Sequence, residues 1–75
     1  MIWYKLKQKK PLAYKTGLFD GKKSDKVLVA DGSGTYHIAE MYEGILDGFE
    51  FCNFYDRNDF EIINVKFWAE IDIPF

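Results

Sequence analysis

The 75-residue sequence holds one cysteine, one histidine and two prolines. Cys52 alone leaves no disulfide to form within the chain, and a lone thiol fits a reducing compartment such as the cytoplasm. Long apolar runs are missing too. The longest, "MIWY" and "VLVA", are four residues, against about 20 for a membrane-spanning helix. The opening "MIWYKLKQKK" meets lysine after four apolar residues, so it lacks the apolar centre of a signal peptide. These absences lead to the expectation of a cytoplasmic protein with no membrane partner. No repeat, low-complexity tract or linker divides the chain, so residues 1–75 read as a single domain. A chain this short buries only about 60% of its unfolded surface. Without disulfide or metal, self-association is the remaining source of stability, and a homodimer is expected.

Catalytic constellations are equally scarce. Besides His37 and Cys52, the nucleophile candidates are Thr16, Ser24, Ser33 and Thr35, and no spacing resembles a nucleophile elbow or a triad. Asp56-x-Asn58 begins like a calcium loop. It fails where the sixth position is Glu61 rather than glycine and the twelfth is Phe67 rather than a bidentate acid. No Cys/His spacing suits zinc. "VLVADGSGTYH" sets Gly32 and Gly34 after a strand, but the third glycine of a dinucleotide loop is replaced by His37 and no helix clearly follows. The expectation is a non-enzymatic protein with no cofactor.

What is present is aromatic and charged. Aromatic residues make up 19% of the chain, fourteen rings in all, and a domain of this size cannot hide them all, so some belong at an interface. Residues 1–26 hold eight lysines against Asp20 and Asp25, whereas residues 27–75 hold Arg57 and Lys66 against ten acids. If that division survived folding, it would set a basic face against an acidic one. The lysines interleave with Trp3, Tyr4 and Tyr14, as stacking platforms for nucleic acid require. The pI of about 5.2 disfavours nucleic acid as a partner.

Hydropathy patterning predicts an all-β fold. "IWYKLK" alternates Ile2, Tyr4 and Leu6 against Trp3, Lys5 and Lys7, the period of a half-buried strand, and Pro11 cannot supply a ladder donor. Residues 12–25 show no sustained period and read as a long ordered loop pinned by Leu18 and Phe19. "KVLVA" reads as a strand and "DGSG" as the reverse turn of a hairpin. Residues 36–46 fit helical spacing as well as alternation. The lack of a capping box after Thr35 and the preceding tight turn favour a strand. "FEFCNFY" is a strand, either strictly alternating or bulged near Cys52–Asn53 so that Phe49, Phe51 and Phe54 point inward together. The last strand would place Ile63, Val65, Phe67 and Ala69 on one face, with Pro74 ending regular structure. The sum is a small antiparallel five-stranded meander, curled into a strongly twisted sheet or a partly open SH3-like barrel. Trp3 and Trp68 lie in its first and last strands, which closure would bring together.

"DGFEFCNFYDRNDFEI", residues 47–62, gathers five acids and five rings. An extended strand separates Asp47 from Asp56 by about 30 Å, too far for an acid/base pair. The stretch therefore reads as strand, loop and strand, with any function carried by its surface. Asp47, Tyr55, Asp56 and Asp59 are the candidate partner-binding residues, Tyr55 as the anchor and the acids as steering charges. The alternative is a small-ligand pocket, for a nucleotide or similar molecule, beside the Asp-Gly loops at Asp20 and Asp47.

One further pattern runs along the chain: Trp3, Pro11, Val27 to Val29, Ala39, Phe49, Val65, Trp68 and Pro74. In these positions the sequence resembles a small family of phage and prophage proteins, a domain of unknown function. That family opens on a Trp-Ile pair near a proline, carries a Val-Leu-Val hairpin and closes on a Val-x-His-Trp-x-x-Leu-Pro-like segment. "TGLFDGKKSD" and "DGFEFCNFYD" look like those of a longer-looped subgroup. Here Phe67 stands where the family has His, and the closing prolines are reduced to one. The resemblance implies no activity. It implies an accessory protein in the host cytoplasm, and with the surface features above leads to the expectation of binding to a host or phage macromolecule, a protein before a nucleic acid, in one version to inhibit a defence system.

Overall fold

Eight β-strands and no helix form the fold in the computed structural model, which describes residues 1–71. Pro74, expected to end regular structure, lies outside the described residues. The strands are β1 (Tyr4–Lys5), β2 (Ala13–Thr16), β3 (Lys22–Ser24), β4 (Val27–Asp31), β5 (Tyr36–Leu46), β6 (Phe49–Tyr55), β7 (Glu61–Ile62) and β8 (Val65–Glu70). They make one open antiparallel sheet in the order β1-β8-β4-β5-β3-β2, with β6 on the other side of β5 and β7 beside β6.

The all-β antiparallel class is as expected. The strand count is eight rather than five and the order is not a simple meander; of the two forms expected, the open sheet is the one found and the barrel is not. Three causes account for the difference, one being that Asn64, at φ 59°, divides the last expected strand into β7 and β8. Residues 12–25 are a hairpin, β2–β3, and not a loop. Its turn has Phe19 and Asp20 at φ 52° and 61° and closes with the Gly21 N–H donating to the Leu18 carbonyl at 2.8 Å. That is a type I′ turn without the usual Asn-Gly signature, so the pattern concealed it. β8 also inserts between β4 and β1 rather than adding to a free edge. The first and last strands do pair, with Tyr4 opposite Trp68. It is the Tyr4 ring that meets Trp68, at 4.8 Å, while Trp3 turns to the other face.

β5, at eleven residues, organises the rest. Along one edge its first half pairs with β4 (Val27 opposite Ala39) and its second with β3 (Lys23 opposite Tyr42). Between these two neighbours the Met41 N–H has no strand partner. The Ser24 hydroxyl, 1% exposed, accepts it at 3.0 Å and itself donates to the Asp25 carbonyl at 2.7 Å. A buried amide left unpaired there would cost about 1–3 kcal/mol. On its other edge β5 pairs with β6 from Glu40 to Leu46 in unbroken register, so the bulge considered for β6 is absent. Gly21 and Gly44 seat the β2–β3 turn against β5. A Cβ at Gly21 would collide with the Glu43 carbonyl, and one at Gly44 would stand 3.0 Å from the Gly21 Cα.

Val27, Val29, Ala39, Met41, Phe54, Ile62 and Trp68 form the core, with Tyr4, Leu6, Ala13 and Val65 packed against it. Each large apolar side chain fully withdrawn from water contributes about 1.5–3 kcal/mol. In β8 the core side chain is Trp68, its indole N–H donating to the Lys9 carbonyl at 2.7 Å. Phe67 points the other way and Ile63 is exposed, so the single face expected for Ile63, Val65, Phe67 and Ala69 is not formed as such. Among the described residues only two aromatic rings, Phe54 and Trp68, are buried.

Candidate interaction surface

Two hairpin loops share one frame. In residues 31–35 the Asp31 N–H donates to the Thr35 carbonyl and the Gly34 N–H to the Asp31 carbonyl, while Asp31 Oδ1 accepts the N–H groups of Ser33 (2.9 Å) and Thr35 (3.1 Å). In residues 56–60 the same bonds run from the Asp56 N–H to the Phe60 carbonyl and from the Asp59 N–H to the Asp56 carbonyl. Asp56 Oδ1 accepts from Asn58 (2.8 Å) and Phe60 (3.0 Å). Both are type I turns followed by a left-handed residue, Gly34 at φ 85° and Asp59 at φ 64°. Asp56-x-Asn58 is thus an Asx turn. Among the described residues no group of three His, Cys, Asp or Glu side chains is placed to hold a metal ion.

The candidate residues separate. Asp47 occupies the β5–β6 turn with Gly48, φ 52° and 82°, at the opposite end of β6 from Tyr55, Asp56 and Asp59. Asp20 lines an open cleft of about 570 Å³ beside Gly21, Gly44 and Phe51, and Asp47 is not among its walls. Both Asp-Gly loops nevertheless lie at the same end of β5. Asp56 is committed to its loop, and Asp59 supplies the left-handed position. Tyr55 faces outward from β6, edge-on to Tyr42 at 5.4 Å, and lies against a second cleft.

That cleft, about 430 Å³, opens between the start of β5 and the 56–60 loop. Its walls include Lys26, His37, Ile38, Glu40, Tyr55 and Arg57. Most of its charges are spoken for. Glu40 pairs with Lys23 at 3.2 Å, and His37 Nε2 lies 3.0 Å from Asp31 Oδ2. The Ser33 hydroxyl and then His37 hold the Asp31 carboxyl well below the usual carboxylate range. Lys26 and Arg57 make no ion pair among the described residues. The basic and acidic halves of the sequence partly neutralise each other at β5, through Lys23–Glu40 from β3 and Lys10–Glu43 from the segment before β2.

Beside the cleft lies an apolar face that patterning did not single out. The register places Phe67, Ala30 and Tyr36 in one row and Ala69, Leu28 and Ile38 in the next, on the side of the sheet away from Val29 and Trp68. Trp3 reaches across this face to Tyr36, ring centroids 5.8 Å apart. Two strands separate β1 from β5, three spacings of about 4.8 Å, so the rings meet only by lying over β8 and β4. Ala30 and Ala69 leave room and are themselves buried. Tyr36 remains 67% exposed, Ile38 57%, Trp3 and Phe67 39% each. The clue in the sequence was the outward phase of Tyr36-x-Ile38, offset by one residue from the buried Ala39-x-Met41.

Cys52 lies at the surface, and desolvation raises its thiol pKa, which disfavours the nucleophilic thiolate. No protein-family model, curated protein or solved structure matches the chain.

Proposed function

We propose that this domain is a non-enzymatic binding module that recognises another protein, serving as the kind of phage or prophage accessory protein the sequence resemblance suggests. The observation that supports it most is the apolar face on which Trp3, Tyr36, Ile38 and Phe67 are exposed around the half-buried Leu28. Soluble monomers rarely leave large contiguous apolar patches in water, and aromatic-rich ones mark protein contacts. The face is continuous at Ile38 with the cleft that holds Tyr55 and Arg57, so aromatic anchors and free charges lie side by side. Inhibition of a host defence protein is one such role.

The test is affinity capture from host lysate with wild-type protein and with a Tyr36→Ser/Ile38→Ser variant, both side chains outward. The variant is expected to keep its melting transition and to lose the captured protein. An identical set of captured proteins from a folded variant would remove this face from consideration.

A further inference from the structure

We propose that the open edge of β5 at Tyr36–Ile38 accepts an extended acidic segment of a protein partner as an added β-strand. This rests on the reading of the domain as a protein-binding module and specifies how it binds. In an antiparallel pair, residues alternate between exchanging backbone hydrogen bonds with one neighbour and with the other. The Asp31 N–H to Thr35 carbonyl bond fixes the phase: His37 and Ala39 bond to β4, while Tyr36, Ile38 and Glu40 direct their N–H and C=O groups to the opposite edge. There β6 pairs with Glu40, through Tyr55, and no further. At Asp56 the chain turns into the 56–60 loop and β7. No described strand therefore reaches Tyr36 or Ile38 on that edge, and each residue keeps one donor and one acceptor available. Such an edge is a template for another strand.

The space and the charge match that occupant. The cleft of about 430 Å³ runs along this edge, walled by His37, Ile38 and Ala39 on one side and by Tyr55, Arg57 and Asn58 on the other. A strand there would continue the line that β6 abandons. Backbone bonds are blind to sequence, so selectivity falls to the side-chain charges. Glu40, Asp56 and His37 are already engaged by Lys23, by the loop amides and by Asp31. Lys26 and Arg57 are the charges left in the cleft without an ion-pair partner among the described residues. Asp or Glu in alternation with apolar residues, which would meet Ile38 and Tyr55, is the complementary pattern. A second copy of this chain fits less well. Its edge strands β1 and β2 carry lysines, and β7, which carries Glu61, is two residues long.

The experiment pans a displayed random dodecapeptide library against the folded protein and follows the synthesised consensus peptide by amide hydrogen exchange. Acidic, alternating sequences are expected, and the consensus should slow exchange at the Tyr36 and Ile38 amides by about tenfold or more. Ile38→Pro removes an outward N–H and should weaken the peptide by about tenfold or more relative to Ile38→Val, because the added strand loses a ladder bond. Arg57→Glu, on an exposed loop, should turn the selection toward lysine and provides the test should the proline variant fail to fold. Basic or charge-indifferent consensus sequences would overturn the proposal, as would binding that leaves both amides unprotected. So would a concentration-dependent dimer that protects the same amides without peptide. Lysate capture that depends on Tyr36 and Ile38 side chains, with no acidic peptide selected, would end the strand-addition mode while leaving the binding reading intact. Peptide binding at the edge with no effect of the Tyr36→Ser/Ile38→Ser pair on capture would keep strand addition and remove the apolar face from the reading.

Discussion

The two edges of β5 meet the same problem with opposite results. On one, the change of neighbour from β4 to β3 strands the Met41 amide, and the Ser24 hydroxyl caps it inside the core. On the other, β6 departs after Glu40, and the amides of Tyr36 and Ile38 have no described strand beside them, Ile38 lying against the cleft. Water explains the difference. A buried N–H must find a partner within the protein, whereas one at an open cleft is solvated until something better arrives. The sealed gap is part of stability, and the open one is free for recognition.

A pair of proline substitutions gives the largest effect and breaks the comparison if it is wrong. Ala39→Pro removes a buried donor from the β4 ladder and is expected to abolish the cooperative melt. Ile38→Pro, one residue away, should leave a folded domain in circular dichroism. Equal damage from both would show that the second edge is not open. Ser24→Ala comes next, with an expected loss of about 1–3 kcal/mol from the orphaned Met41 amide. Urea titration should show a lower midpoint at unchanged slope.

The loops flanking the open edge sharpen the contrast further. Gly34→Ala meets no atoms within 4 Å, so its cost is left-handed backbone strain alone, about 1–2 kcal/mol. Asp59→Gly at the equivalent position should stay within about 0.5 kcal/mol, since relief of strain is offset by a more flexible unfolded chain. Thermal melts of both variants check this. The smallest effect is electrostatic. Ser33, Thr35 and His37 depress the Asp31 carboxyl in the folded state. Its contribution is therefore present above the ordinary carboxylate range and is lost as pH falls through that range toward the folded value. The melting-temperature gap between wild type and Asp31→Asn should narrow from pH 7 to pH 2. A constant gap would mean that the charge is not what matters.

Much of the frame was legible in the sequence. β4, the 31–35 turn, β5, β6 and β8 each carry alternation or turn chemistry strong enough to survive folding. The β2–β3 hairpin did not show, because its turn places Phe19 at a positive φ that no propensity anticipates. β7 is too short to show a period. Of the surface, Tyr55 was placed correctly on the outer side of β6. Asp56 was read as a steering charge although its carboxylate ties a loop, because an Asx turn and an exposed acid look alike in one dimension. Arg57, Lys26 and Ile38 went unnoticed because only the departure of β6 from β5 brings them around one cleft.

The position of β8 bears on how the chain folds. The β2–β3, β4–β5, β5–β6 and β6–β7 pairs are hairpins that can form from nearby residues, but β8 must find β4 and β1 across most of the sequence. Closing loops of that length is slow compared with hairpin formation, and non-local β-pairing of this kind extends folding to milliseconds or longer. Trp68 enters the core only at that step, whereas Trp3 stays half in water. Tryptophan emission during refolding would then follow the arrival of the last strand rather than the first collapse, and the indole of residue 68 serves as an internal clock for the rate-limiting event.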